Sequence, residues 1–160
     1  MNYPPPIIDS AKLLYFAMND SSVAFTGKIR LYVGSERLGE VPLIAICKPY
    51  NEVSGFFIFF CNENWESLGC IGCASIEEAK KKVEVGYNGI SKKWQEANFS
   101  QSQVNKYLVE IYGVDPESKW WETRCSFCNK ESAEVENMFS SENAVICNEC
   151  VIYLHSQLYA

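Results

Sequence analysis

Four cysteines, Cys125, Cys128, Cys147 and Cys150, follow the pattern Cys-x2-Cys-x18-Cys-x2-Cys near the end of the 160-residue chain. Zinc takes four soft donors in a tetrahedron, with sulfur about 2.3 Å from the metal. A Cys-x2-Cys turn suits that geometry because its middle residues curl into a knuckle whose amides face sulfur. Two such knuckles on different elements complete the shell. No position is left for water, so the pattern predicts one closed, structural Zn2+ site rather than a catalytic one. Two redox pairs, or four unrelated buried thiols, are the competing readings.

The remaining reactive residue types are less organised. Cys70-Ile71-Gly72-Cys73 is a second Cys-x2-Cys, with Cys47 and Cys61 upstream. A second metal site would need two strand ends to bring Cys47 and Cys61 beside it. A redox pair would normally open a helix, whereas this one lies in an expected strand. Small buried thiols are the reading that the apolar surroundings favour. His155 is the single histidine, and four cysteines already fill the shell, so it is expected in solvent on the last helix. One histidine and scattered carboxylates suggest no catalytic dyad or triad, and the expectation is a protein that is not an enzyme. Lys80-Lys81-Lys82 reads as a solvated helix face.

Composition narrows the partner. The chain is 48% hydrophobic and 21% charged, with a formal net charge of −6, which suits a packed globular protein. Residues 125 to 160 hold one Lys against five Glu, for −4. Four thiolates around Zn2+ take that to about −6. Nucleic-acid binding draws its affinity from basic groups that neutralise phosphates, so a nucleic-acid-binding regulator is disfavoured. The opening Met1-Asn2-Tyr3-Pro4-Pro5-Pro6 lacks the basic-then-apolar pattern of a secretion signal. A cytoplasmic protein is expected, where clustered cysteines point to metal rather than disulfides.

The elements that must position these residues can be read from periodicity. Ile8, Ala11, Leu14, Tyr15 and Met18 are three or four apart and predict a short amphipathic helix over 7 to 18. Strand-like runs follow at Phe25 to Val33, Val41 to Cys47, Gly55 to Cys61 and, more weakly, Trp65 to Ala74, with a turn at Pro49-Tyr50-Asn51-Glu52. Ser75 and Glu78 form a capping box ahead of a helix carrying Ile76, Ala79, Val83, Tyr87, Ile90 and Trp94, interrupted near Asn88-Gly89. A second helix is expected over Gln101 to Tyr112, with Val104, Tyr107, Leu108 and Ile111 inward. In the zinc module, Glu131 to Phe139 predicts a short helix, Val145-Ile146 a strand and Asn148 to Tyr159 a helix. The expected fold class is α+β: a small antiparallel sheet of about four strands with flanking helices in residues 1–118, and a zinc module in 119–160.

Cys125-Ser126-Phe127-Cys128-Asn129-Lys130, then Val135, then Ile146-Cys147-Asn148-Glu149-Cys150-Val151 resemble the amino-terminal C4 zinc-binding domain of the ClpX unfoldase, over roughly residues 120 to 160. The resemblance implies a treble-clef-like module that dimerises and docks adaptors or substrate proteins. Its dimer surface would use apolar residues around Phe127, Phe139, Ile152 and Leu154, unless these pack on the amino-terminal domain instead. Asn129 stands where that family usually has Gly, and Ser140-Ser141-Glu142-Asn143 replaces its usual Gly-Pro-type turn. There is no phosphate-binding Gly-rich loop followed by Lys-Ser or Lys-Thr, so this is not the unfoldase itself. Phe56 to Trp94 is similar to small bacterial proteins of toxin–immunity loci. The expectation is therefore a bacterial, non-enzymatic protein-binding protein: an immunity protein neutralising a toxin, or else an adaptor for a ClpX-type unfoldase.

Overall fold

The runs rich in aromatic and β-branched residues in the first half of the chain, above all Leu43–Pro49 and Phe56–Cys61, fold as strands. The computed structural model describes residues 3–50, 54–118, 122–141 and 144–159, and the chain divides into two compact units, Met1–Gly113 and Val114–Ala160. In the first unit the elements are β1 (Ile7–Ile8), β2 (Ala11–Met18), β3 (Ala24–Phe25), β4 (Tyr32–Val33), β5 (Glu36–Arg37), β6 (Leu43–Pro49), β7 (Phe56–Cys61), β8 (Ser67–Cys73), α1 (Ile76–Gly86), β9 (Tyr87–Asn88), β10 (Gln95–Glu96) and α2 (Gln101–Tyr107). The main sheet runs β1-β2-β6-β7-β8, all antiparallel, with β10 also paired to β2. The expected turn at 49 to 52 lies partly outside the described residues.

Residues 7 to 18 are strands, not the expected helix. The pairing of β2 with β6 shifts register between Leu13 and Tyr15, so Leu14 is the extra residue of a bulge. One face of the sheet receives Ala11, Leu13 and Phe16, and the other receives Tyr15 and Ala17. The bulge turns a two-residue repeat into steps of two and three, and the hairpin at Asp9-Ser10 adds another step of three from Ile8 to Ala11. Those steps imitate helical spacing. Pairing on both sides of β2, with the strand preference of Tyr15 and Phe16, outweighs that spacing.

Both faces of the sheet are covered, which is why β6 and β7 read as nearly continuous apolar runs. Ile44, Ile46, Ile58 and Phe60 face a core shared with Ala79, Val83, Tyr87 and Ile90. Leu43, Ala45, Cys47, Phe59 and Cys61 face a second core with Ile8 and Trp65. The stretch expected as a strand from Phe25 to Val33 pairs only at β3, with β9, and at β4, with β5. Between them the chain crosses the first core as a strap, and Phe25, Ile29 and Leu31 pack onto it. Burial there replaces ladder hydrogen bonds.

Helix α1 begins where the cap predicts. The Glu78 amide donates to Ser75 Oγ at 3.1 Å, and the Glu78 carboxylate accepts from the Ala74 amide at 2.7 Å. Ser75→Ala is expected to cost about 1 kcal/mol, read as a small fall in the denaturant midpoint of the first unit. The helix stops at Gly86, and Gly89 turns the chain at φ 95°. Glu84 holds that turn by accepting from the amides of Gly89 at 2.7 Å and Ser91 at 2.8 Å. Those bonds, that of Gly89 foremost, keep its carboxyl below the ordinary range.

The helix expected over 101 to 112 is α-helical to Tyr107 and then widens into a π-type turn, Leu108–Tyr112, ending at Gly113 with φ 65°. Ser100 and Gln103 cap it reciprocally. Val104 and Leu108 are buried as expected, but Ile111 is 65% exposed. The wider turn rotates position 111 off the inward stripe.

In the second unit a one-turn helix at Ser132–Glu134 and a hairpin of β11 (Met138–Ser140) with β12 (Val145–Cys147) replace the helix expected over 131 to 139. Pairing of Phe139 with Ile146 outweighs the helical spacing of Val135, Met138 and Phe139. Helix α3 (Asn148–Leu158) follows directly. The turn at 140 to 143 lies partly outside the described residues. No helix among the described residues is long and apolar enough to cross a membrane.

Candidate metal centre

Cys125 and Cys128 sit on a tight turn that leads away from the Arg124–Glu131 bridge. The Asn129 amide donates to the Cys125 carbonyl at 2.8 Å, and the Cys125 amide to the Lys130 carbonyl at 2.9 Å. Closing this knuckle requires left-handed backbone at Asn129, which has φ 61°. Asparagine enters that region more readily than other non-glycine residues. The first knuckle is tied to β12, where Ser126 N–H donates to the Val145 carbonyl at 2.7 Å and its Oγ accepts from the Val145 amide at 3.1 Å.

The second knuckle joins β12 to α3. Cys147 is the N-cap of the helix, and its Sγ accepts from the Cys150 amide at 3.4 Å. The Asn148 amide donates to the Asn137 carbonyl, and the Asn137 amide to Asn148 Oδ1. These bonds fix the helix start against the hairpin. Lys130 and Glu149 form an ion pair that spans the two knuckles.

All four sulfur atoms lie within 4.8 Å of one another. The Cys125–Cys150 and Cys128–Cys147 separations are both 3.7 Å. A tetrahedron with 2.3 Å metal–sulfur bonds has edges of about 3.8 Å, so the donors already stand at zinc spacing. Their electrostatics call for a cation too. Burial opposes ionisation of Cys125, but the amides of Cys128, Cys147 and Phe127 outweigh it and bring that thiol down to about 6. Cys150 is pushed up, by burial first and then by the neighbouring sulfurs. Cys128 is also raised, although the Lys130 amide works the other way. Four thiolates this close cannot all carry charge without a dication between them.

The family assignment agrees with the donor geometry. Residues 123–158 match the ClpX C4-type zinc finger. No solved structure matches the chain. This zinc finger holds one structural zinc through its four cysteines, and its knuckle, hairpin, knuckle and helix form the treble-clef-like order that the resemblance implied.

The other cysteines do not gather. Among the described residues, the four zinc-finger thiols are the one metal-ligating group. Cys47 and Cys61 are fully buried on β6 and β7, and burial raises both thiols, Cys61 to about 12. Cys70 and Cys73 are three residues apart on β8, pointing to opposite faces of the strand. An extended step of three residues spans about 10 Å, too far for a disulfide. Iodoacetamide at pH 8 is therefore expected to reach Cys70 in the folded, zinc-loaded protein and to spare Cys47 and Cys61 until denaturant is added. Peptide mapping checks this order.

Other residues marked in the sequence are also placed. The His155 ring on α3 meets that of Tyr159, just past the helix end, at a tilt with centroids 4.8 Å apart, outside the metal group. Lys80 lies over the Tyr15 ring at 3.8 Å, and Lys82 pairs with Glu78 at 2.7 Å. Lys81 is exposed, as a solvated helix face requires, while Lys80 and Lys82 are engaged within the first unit. Trp65, expected to open the weak strand over 65 to 74, lies ahead of β8, is buried with φ 66° and meets Phe16 edge-on at 5.7 Å. Helical spacing gave no signal for that second core.

Proposed function

We propose that the protein is a non-enzymatic binding protein, and specifically a bacterial immunity protein that neutralises a cognate toxin. The surface of α3 carries this reading. Val151, Ile152, Tyr153, Leu154, Leu158 and Tyr159 are all exposed, Ile152 at 66%. Apolar side chains this dense on one short helix mark an interaction surface. Phe127 and Phe139 are exposed on the same module. Charge supplies the chemistry of the partner: an acidic finger attached to an acidic chain suits a basic protein, because complementary charge speeds encounter and rejects wrong partners.

The test is affinity capture from the native cell, using the wild-type chain and an Ile152→Glu/Tyr153→Glu variant that keeps its zinc. A basic protein held by the wild type alone, whose toxicity is suppressed by co-expression, is the expected result. Capture of no toxic partner would overturn the immunity reading.

A second reading rests on the family match: an adaptor that brings cargo to a ClpX-type unfoldase. Co-purification with that unfoldase, lost in the same variant, would favour it. Absence of binding at micromolar concentration would count against it.

A further inference from the structure

We propose that the first unit carries a pocket for an arginine side chain of the partner, at the end of the sheet where β2, β6 and the β7–β8 turn meet. This assignment rests on the basic partner proposed above and names the group that such a partner inserts. A cavity of about 420 Å³ opens there, lined by Met18, Asn19, Asp20, Pro42, Leu43 and Glu63.

Its floor is apolar and is fixed by the sheet. Met18 pairs with Leu43, and Leu43 with Cys61. Leu43 belongs to the second core, with Met18 packed against it, while Met18 and Pro42 remain half-buried. Such a floor takes the methylenes of a long basic side chain, whose charged head stays at the mouth.

The polar groups around it are acceptors. The Asn19 backbone amide donates to the Pro42 carbonyl at 2.8 Å. Its Nδ2 donates to the Glu40 carboxylate at 2.8 Å and to the Val41 carbonyl at 3.0 Å. These bonds fix the orientation of the side chain, and no described residue donates to its buried Oδ1. A buried acceptor without a donor is rare and costly.

Glu63 is held in place by its turn. Asn62 Oδ1 accepts from the amides of Asn64 at 2.9 Å and Glu66 at 3.0 Å, and the Trp65 amide donates to the Asn62 carbonyl at 3.1 Å. Glu63 itself is exposed and joins no ion pair among the described residues. Asp20 is already engaged, by Lys93 at 2.8 Å and by Ser22. Glu63 is therefore the carboxylate available to an incoming cation, with Glu40 adding negative charge behind Asn19.

A guanidinium suits this set better than an ammonium does. Its planar fork of five donors meets an amide oxygen and a carboxylate together, whereas an ammonium is a compact, strongly hydrated point charge. Complementary charge at the mouth also steers a basic surface toward the cavity.

The experiment uses the full, zinc-loaded, isotope-labelled chain and follows its amide resonances. Acetyl-Gly-Arg-Gly-amide is titrated in, then the same peptide with citrulline, which keeps the shape of arginine without its charge. The arginine peptide is expected to give saturable shifts at Met18, Asn19, Asp20, Leu43 and Glu63 and at the Asn19 side-chain amide. The citrulline peptide is expected to leave them in place. Glu63→Gln, a surface change that spares the fold, is expected to weaken binding several-fold, as is high salt. Equal shifts from the two peptides, or none at these residues, would overturn the pocket. So would magnesium ion shifting the same resonances at lower concentration, since the site would then take a bare cation. A failed titration with a basic partner still captured would remove the pocket alone. A successful titration with no basic partner captured would leave the pocket standing and remove the partner reading.

Discussion

Replacing Cys147 with serine is expected to abolish zinc binding and unfold the second unit, leaving the first unit folded. Cys147 is fully buried, caps α3 and receives the Cys150 amide, so its loss removes a metal donor and the start of the helix together. The module has little else to hold it. Among its described residues the buried ones are Cys125 and Cys147, while the apolar residues of α3 face solvent. A unit with no apolar core cannot offset the entropy of ordering its chain. Structural zinc contributes about 10–16 kcal/mol to such modules, so folding and metal binding are one event. Metal analysis should fall from about one equivalent per chain to near zero. Amide resonances of residues 123–158 should collapse to the random-coil range while those of the β-sheet keep their dispersion. A variant with full zinc, or a sheet that melts with the module, would contradict this.

Phe60→Ala is expected to do the reverse. Phe60 is 1% exposed at the centre of the first core, stacked on Tyr87 with ring centroids 6.2 Å apart. Deleting a buried phenyl ring costs about 3–5 kcal/mol, since the lost transfer energy is compounded by the cavity left behind. Native domains hold about 5–15 kcal/mol in total, so the loss is a large share of the unit's stability. Tyr87 would also lose support, and its hydroxyl accepts the Val41 amide at 3.1 Å inside the core. The denaturant midpoint of the sheet should drop sharply. Zinc content should not change, because all four ligands and the bonds that position them belong to the other unit. Together the two variants separate a fold held by apolar burial from one held by a metal.

The sequence by itself determined the metal centre. Ligand identity, number and spacing are local: each pair of cysteines lies within one turn, and the knuckle closes through amides two or three residues away. Even the departure at Asn129 could be read as tolerable, and it adopts the left-handed backbone that the turn needs. The start of α1 was legible for the same reason, because Ser75 and Glu78 act on amides three and four residues away, those of Glu78 and Ala74.

The tertiary structure decided what depends on partners distant in the chain. Residues 11 to 18 carry apolar spacing that fits a helix, yet they form a strand because β6 and β10 supply ladders on either side and a bulge absorbs the odd residue. Met138–Ser140 became a strand only because Val145–Cys147 lies opposite. The strap from Phe25 to Leu31 exchanged strand pairing for burial across a core. The same separation applies at the zinc finger. Its four ligands are written in the sequence, but the inequality among them arises only when the hairpin and α3 close, burying Cys125 and Cys147 and leaving Cys128 and Cys150 toward solvent. Spacing selects the metal because coordination geometry is short-ranged, whereas exposure and hydrogen bonding at each sulfur are properties of the folded surroundings.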